Sequence, residues 1–67
     1  MQENLDTSES AAYIRVPDST LRWWRSTKNP DAPASFNIGR RVFYRKSDLD
    51  AWLQRQYDAT VTGSRSA

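Results

Sequence analysis

Cysteine and histidine are both absent from these 67 residues. That excludes disulfides, thiol nucleophiles, cysteine or histidine metal centres and imidazole acid–base catalysis. The carboxylates form no pair placed as general acid and base, so an enzyme is not expected, and neither are a cofactor, a metal ion or a small-molecule ligand. No apolar run approaches the roughly 20 residues of a membrane-spanning helix. Met1-Gln2-Glu3-Asn4 lacks the basic and apolar regions of a signal peptide. The expectation is a cytoplasmic protein with no membrane partner.

A chain this short forms one small domain with little stability to spare, and large aromatic side chains must supply much of its burial. Three Trp, three Tyr and two Phe meet that need. The net charge of +2 hides an uneven distribution. Residues 15–46 hold eight basic residues (Arg15, Arg22, Arg25, Lys28, Arg40, Arg41, Arg45 and Lys46) against Asp18 and Asp31, whereas residues 1–14 carry only acids (Glu3, Asp6 and Glu9). Positive charge gathered in mid-chain is the electrostatic footprint of nucleic-acid binding, to be weighed against an ordinary solvated surface.

The stretch Asp18-Ser19-Thr20-Leu21-Arg22-Trp23-Trp24-Arg25-Ser26-Thr27-Lys28 reads as one helix with two incompatible faces. At ~100° per residue, Leu21 and Trp24 fall on one side and Ser19, Arg22, Trp23 and Ser26 on the other. The first side needs a core. The second offers hydroxyls, a guanidinium and an indole without a carboxylate, a set suited to phosphate oxygens and base edges in a DNA groove. This is the candidate recognition helix.

Upstream, Asp6 and Glu9 form a capping box preceded by Leu5, which predicts a first helix from about Thr7 to Ile14 with Ser10, Ala11 and Ile14 facing inward. Ser10 then needs a backbone acceptor. Arg15-Val16-Pro17 ends this helix, and a turn of that length before a second helix is the spacing of a helix-turn-helix. Val16 plugs the turn, and either Pro17 or Asp18 caps the second helix.

Lys28-Asn29-Pro30-Asp31-Ala32-Pro33 predicts an extended loop, and Ser35–Ile38 and Val42–Tyr44 predict a hairpin around Gly39. A two-residue Gly39-Arg40 turn pairs Ile38 with Arg41. The three-residue loop Gly39-Arg40-Arg41 is preferred, because it places Phe36, Ile38, Val42 and Tyr44 on one apolar face, with Asn37, Phe43 and Arg45 outward. Ser47 is expected to cap the last helix, with Asp48 and Asp50 in its first turn and Leu49, Trp52, Leu53 and Gln56 docking on the core. Trp24 and Trp52 are core candidates. Residues 1–4 and 58–67 are expected to be flexible, leaving 5–57 as the domain.

Taken together, Leu5-Asp6-Thr7-Ser8-Glu9-Ser10-Ala11, Ser19-Thr20-Leu21-Arg22-Trp23-Trp24 and the run from Ile38-Gly39-Arg40-Arg41-Val42 through Ser47-Asp48-Leu49-Asp50-Ala51-Trp52-Leu53 closely resemble the excisionase family. These are small winged-helix DNA-binding proteins, related to the N-terminal domains of MerR regulators, that phages and mobile elements use to direct site-specific recombination. The resemblance covers about residues 5 to 53. It implies an α+β winged helix-turn-helix of three helices, with a two-stranded β-hairpin wing between the second and third. It also implies that Ser19, Thr20, Arg22 and Trp23 face the major groove, and that Gly39, Arg40 and Arg41 form a wing tip at the adjacent minor groove.

Ser26 extends the open face of the recognition helix, and Arg25, Lys28, Arg45 and Lys46 are expected to position phosphates. Trp23 is balanced between DNA contact and packing, and Phe43 between a partial core role against the last helix and an interaction surface. The partners implied are double-stranded DNA, an integrase and further copies of the chain on DNA. The role implied is binding and bending attachment-site DNA so that excision is favoured. A transcription regulator of the same fold is the alternative, and a protein-interaction module that does not touch DNA is a third reading.

Overall fold

Residues 3–63 are described by the computed structural model, and most element boundaries in it follow from local chemistry. The order is β1 (Asn4–Asp6), α1 (Thr7–Ile14), α2 (Asp18–Ser26), β2 (Phe36–Ile38), β3 (Arg41–Arg45) and α3 (Lys46–Thr60). At the start of α1 the capping box closes in both directions. The Asp6 carboxylate accepts the Glu9 N–H at 2.8 Å, and the Glu9 carboxylate accepts the Asp6 N–H at 3.0 Å. Ser10 finds the acceptor it needs, donating its hydroxyl to the Leu5 carbonyl at 3.3 Å.

Both helices of the helix-turn-helix end in a residue with left-handed backbone. Arg15 has φ +63°, and the Val16 N–H reaches back to the Ala11 carbonyl at 3.0 Å. Lys28 has φ +54°, and the Asn29 N–H reaches the Trp24 carbonyl at 2.9 Å. These are Schellman endings with a cation where glycine is usual. The second one stops α2 at Ser26, short of the expected Lys28. Pro17 takes the cap position, its carbonyl accepting the Thr20 and Leu21 N–H groups at 3.0 and 3.2 Å, and Asp18 becomes the first helical residue.

The sheet corrects three expectations. It has three antiparallel strands in the order β1-β3-β2, because Asn4–Asp6 adds a strand where a loose N-terminus was expected up to residue 4. The wing is therefore a hairpin with a third strand on its far edge. In register, Ile38 faces Arg41, Asn37 faces Val42 and Phe36 faces Phe43, so the turn is the two-residue Gly39-Arg40 and the preferred three-residue loop is overturned.

Residues directly opposite one another share a face of the sheet, so Phe36 and Ile38 leave the core side with Phe43 and Arg41. The physical reason lies in β1. Leu5 stands opposite Tyr44 and completes the inner face with Val42, so β2 is not required to bury its apolar residues there. Gly39 has φ +61° while Arg40 does not share the positive φ, the pattern of a two-residue II′ turn with glycine first.

The core consists of Ala11, Ile14, Leu21, Tyr44, Leu49 and Trp52, with Leu5, Val16, Trp24, Val42 and Leu53 packed against it. Trp24 packs against this core as expected, half-buried, with its ring 5.8 Å from that of Trp52. The Trp52 indole N–H donates to the Asp31 carbonyl at 2.6 Å and Pro33 is buried, which fastens the loop after α2 onto α3.

The last helix starts two residues earlier than expected. β3 runs directly into it, the Lys46 N–H donates to the Glu3 carbonyl at 2.9 Å, and Arg45 takes the cap position in place of Ser47. Asp48 stands in the first turn, but Asp50 instead accepts the Tyr13 hydroxyl. At its other end α3 continues to Thr60, so residues 58–60 are helical where a flexible tail was expected. The same expectation for residues 1–2 and 64–67 lies outside the described residues.

Candidate nucleic-acid interface

α2 is held at its ends and by one stripe, and this sets what it displays. Leu21 is 1% exposed and anchors the helix, Trp24 leans on Trp52, and Ser19, Arg22, Trp23 and Ser26 stand on the open face. Trp23 is 60% exposed, so its indole is not used for packing within the described chain. Thr20 is half-buried at the edge of the face. The Ser26 hydroxyl donates to the Trp23 carbonyl at 3.1 Å, which occupies its proton and leaves its oxygen as an acceptor.

Arg22 makes no ion pair or hydrogen bond among the described residues, and its side chain lines an open groove of about 220 Å³ with Asp6, Thr7, Ser8, Arg41 and Val42. Three elements meet there: the start of α1, the outer edge of α2 and the first half of β3. Arg25 joins the same side, donating from Nη1 to the Thr7 hydroxyl at 3.4 Å. The structure thus gathers Arg22, Arg25 and Arg41 around one concavity. A duplex presented to that side would meet a row of guanidinium groups, which suit phosphate and guanine edges equally well.

The expected wing tip divides. Gly39 and Arg40 form the exposed turn, but Arg41 belongs to β3, where its guanidinium lies 3.9 Å from the Asp6 carboxylate and 5.2 Å above the Phe43 ring. The register correction is the cause, since a two-residue turn ends before Arg41. Both charges of that ion pair are well exposed, and such pairs contribute at most about 1 kcal/mol. Phe43 packs on Phe36 with ring centroids 6.4 Å apart, on the outer face of the sheet and away from the core side.

Of the four residues expected to position phosphates, Arg25 reaches Thr7 at the groove and two more take partners away from it. The Arg45 guanidinium lies 6.0 Å above the Phe36 ring on the outer sheet face. Lys46 is half-buried, 3.9 Å from the Glu3 carboxylate and 5.6 Å above the Tyr13 ring, so its charge serves the joint between the N-terminal segment, α1 and α3. Lys28 is exposed at the end of α2. In the same joint the Tyr13 phenol is held above its ordinary pKa, first by its hydrogen bond to Asp50 and then by burial and by the charges of Asp50 and Glu3.

Sequence reasoning missed the acidic side of the interface. Asp6 faces Arg41, and Asp18 at the head of α2 accepts the Ser8 hydroxyl at 2.7 Å. The open side of α2 was read as free of carboxylates, yet Asp18 stands four residues before Arg22 and so shares its edge of the helix. That spacing was the available signal.

A short helix-turn-helix with an exposed cationic second helix and a β-hairpin beside it defines a class, the winged helix-turn-helix DNA-binding domains. The sequence model of the helix-turn-helix domain family matches residues 5–57, and the chain belongs to that family. Sequence-specific DNA binding is the activity this membership indicates. Comparison with curated proteins and with solved structures finds no match. Among the described residues, no helix is long and apolar enough to cross a membrane.

Proposed function

We propose that this protein is a non-enzymatic architectural DNA-binding factor of the excisionase type. In this reading α2 enters the major groove with Ser19, Thr20, Arg22, Trp23 and Ser26. The Gly39-Arg40 turn reaches the neighbouring minor groove, and Arg25, Lys28 and Arg41 hold phosphates. The observation that carries it is the groove in which Arg22, without a partner among the described residues, stands between the start of α1 and the base of the wing. An unpartnered guanidinium on the open face of a helix-turn-helix is placed to read guanine.

The finer role extends the family resemblance. Several copies would bind side by side at an attachment region, bend it, and favour excision by a partner integrase. Bending a short site costs on the order of 1–6 kcal/mol, more than one domain of this size readily supplies, and cooperative binding spreads that cost. A mobility-shift titration on DNA flanking the gene, with bending read from the same gel, tests the reading. Stepwise, cooperative, slow-migrating complexes at an attachment site are expected. One unbent complex at a promoter would make it a transcription regulator, and no salt-dependent shift at all would overturn DNA binding.

A further inference from the structure

We propose that Asp18, held in place by Ser8, is a specificity-determining residue that reads the exocyclic amino group of a cytosine beside the guanine read by Arg22. The inference rests on α2 being the recognition helix. Its starting point is an apparent cost. Between residues 15 and 46 only Asp18 and Asp31 oppose eight cations, and Asp18 is the acid that heads α2. A carboxylate presented to a phosphate-lined groove lowers affinity for every DNA, so its place at the leading end of this helix requires a compensating gain.

One gain is local, since a negative charge in the first turn suits the helix dipole where Pro17 offers no side-chain cap. The Ser8 contact is not needed for that. The Ser8 hydroxyl donates to Oδ2 of Asp18 at 2.7 Å across the α1–α2 pair, which fixes the carboxylate and leaves Oδ1 without a partner among the described residues. Ser8 also lines the groove that holds Arg22. Asp18 and Arg22 do not pair with each other, so an oriented acceptor and an unpartnered donor lie side by side on one edge of α2.

Their chemistries are complementary. An ionised carboxylate only accepts hydrogen bonds. In the major groove guanine presents O6 and N7 and thymine presents O4, all acceptors, and adenine sets its N7 beside its amino group. Cytosine N4 is the amino donor with no such neighbour. Arg22, which only donates, matches guanine O6 and N7. Residues one helical turn apart are separated by ~6 Å, against ~3.4 Å per base step. The two bases therefore lie about one or two steps apart. Asp18 would select cytosine and repel guanine and thymine at its position, while reducing affinity for random DNA.

The test is selection from randomised duplexes followed by competition titrations, using the wild-type chain, Asp18→Asn, Ser8→Ala and Arg22→Ala. Wild type should enrich a cytosine one or two steps from the guanine whose preference is lost in Arg22→Ala. In Asp18→Asn the discrimination at that cytosine should fall by roughly 5- to 100-fold, while random duplexes bind more tightly. Ser8→Ala keeps the charge, so it should weaken the cytosine preference without raising affinity for random DNA. If Asp18→Asn tightens selected and random duplexes equally and leaves the selected sequence unchanged, Asp18 serves α2 alone and the proposal fails. If wild type shows no salt-dependent binding to any duplex, the recognition-helix reading fails and takes the proposal with it.

Discussion

Two groups of cations in this protein are equally basic by sequence and differ in everything around them. Arg22 stands in a groove with no ion pair or hydrogen bond among the described residues. Lys46, the first residue of α3, is bracketed by the Glu3 carboxylate at 3.9 Å and the Tyr13 ring at 5.6 Å, and its backbone N–H is held by Glu3 as well. Arg45 is likewise laid on Phe36. A cation already engaged by its own chain gives a phosphate less than an open one does. The comparison therefore sorts the basic stretch into a proposed contact row (Arg22, Arg25, Arg40 and Arg41) and a fastening row (Arg45 and Lys46), with Arg41 as the contact-row member most engaged by its own chain, through Asp6 and Phe43.

The contact row exists only while α2 is docked, and Leu21 is that helix's one fully buried anchor. Leu21→Ala should cost about 2–5 kcal/mol of folding stability, read by urea denaturation, and abolish DNA binding at temperatures where the fold is lost. Within the row, Arg22→Ala should leave stability unchanged and remove about 1–3 kcal/mol of binding to the selected site, with little loss on random duplexes. An equal loss on both kinds of DNA would demote Arg22 from base reading to phosphate attraction.

Arg40 and Lys46 sharpen the comparison directly, being one cation from each row. Arg40→Ala should weaken binding to all sequences and reduce the slope of log K against log salt by about 1. Lys46→Ala should leave that slope unchanged and instead cost up to about 1 kcal/mol of stability. A matching fall in slope for Lys46→Ala would erase the distinction between the two rows.

How much of this was legible beforehand depended on whether a residue's partner was near in sequence. α1 could be read almost to the residue because its signals are local: Asp6 and Glu9 cap each other three positions apart, and the Ser10, Ala11, Ile14 stripe is periodic. The faces of α2 followed from the same periodicity. The hairpin register did not, because it is decided by β1, a strand some 40 positions away that supplies Leu5 opposite Tyr44. With that strand unseen, Phe36 and Ile38 were the natural candidates for the inner face, and Arg41 was carried to the wing tip with them. Ser47 lost the cap of α3 for the same reason, since Glu3 takes up the first free N–H of the helix. At the site, Arg22 was legible by face and motif, while the engagement of Lys46, the Asp6–Arg41 pair and the Ser8 tether on Asp18 depend on tertiary placement.

A smaller effect separates an open cation from a useful one. Arg15 is exposed in the turn of the helix-turn-helix and holds φ at +63°, a conformation that costs a side-chain-bearing residue about 1 kcal/mol relative to glycine. Arg15→Gly should therefore stabilise the fold by about 0.5–1 kcal/mol, read as a higher denaturation midpoint with an unchanged urea slope. Arg15 lies outside the Arg22 groove, so binding to DNA should be unaltered. A loss of affinity accompanying the gain in stability would extend the contact row into the turn.

The fastening row has a pH signature that the contact row lacks. The Tyr13 hydroxyl donates to Asp50, and this bond, with burial and the charges of Asp50 and Glu3, holds the phenol above its ordinary value. A folded-state pKa raised above the unfolded one, about 10 for tyrosine, favours the protonated phenol in the native protein. The stabilisation is then complete below about pH 10 and is lost as pH rises through the folded value. Wild type should accordingly lose stability above about pH 10 more steeply than Tyr13→Phe, which has no proton to release. At neutral pH the variant should bind DNA with the same affinity and salt slope as wild type, since Tyr13 engages Lys46 and Asp50 at the joint and does not line the Arg22 groove. Parallel stability profiles for the two proteins in alkaline solution would mean that the Tyr13–Asp50 contact does not help to fasten α1 to α3. That joint would then rest on Lys46, through the Glu3 carboxylate and the Tyr13 ring.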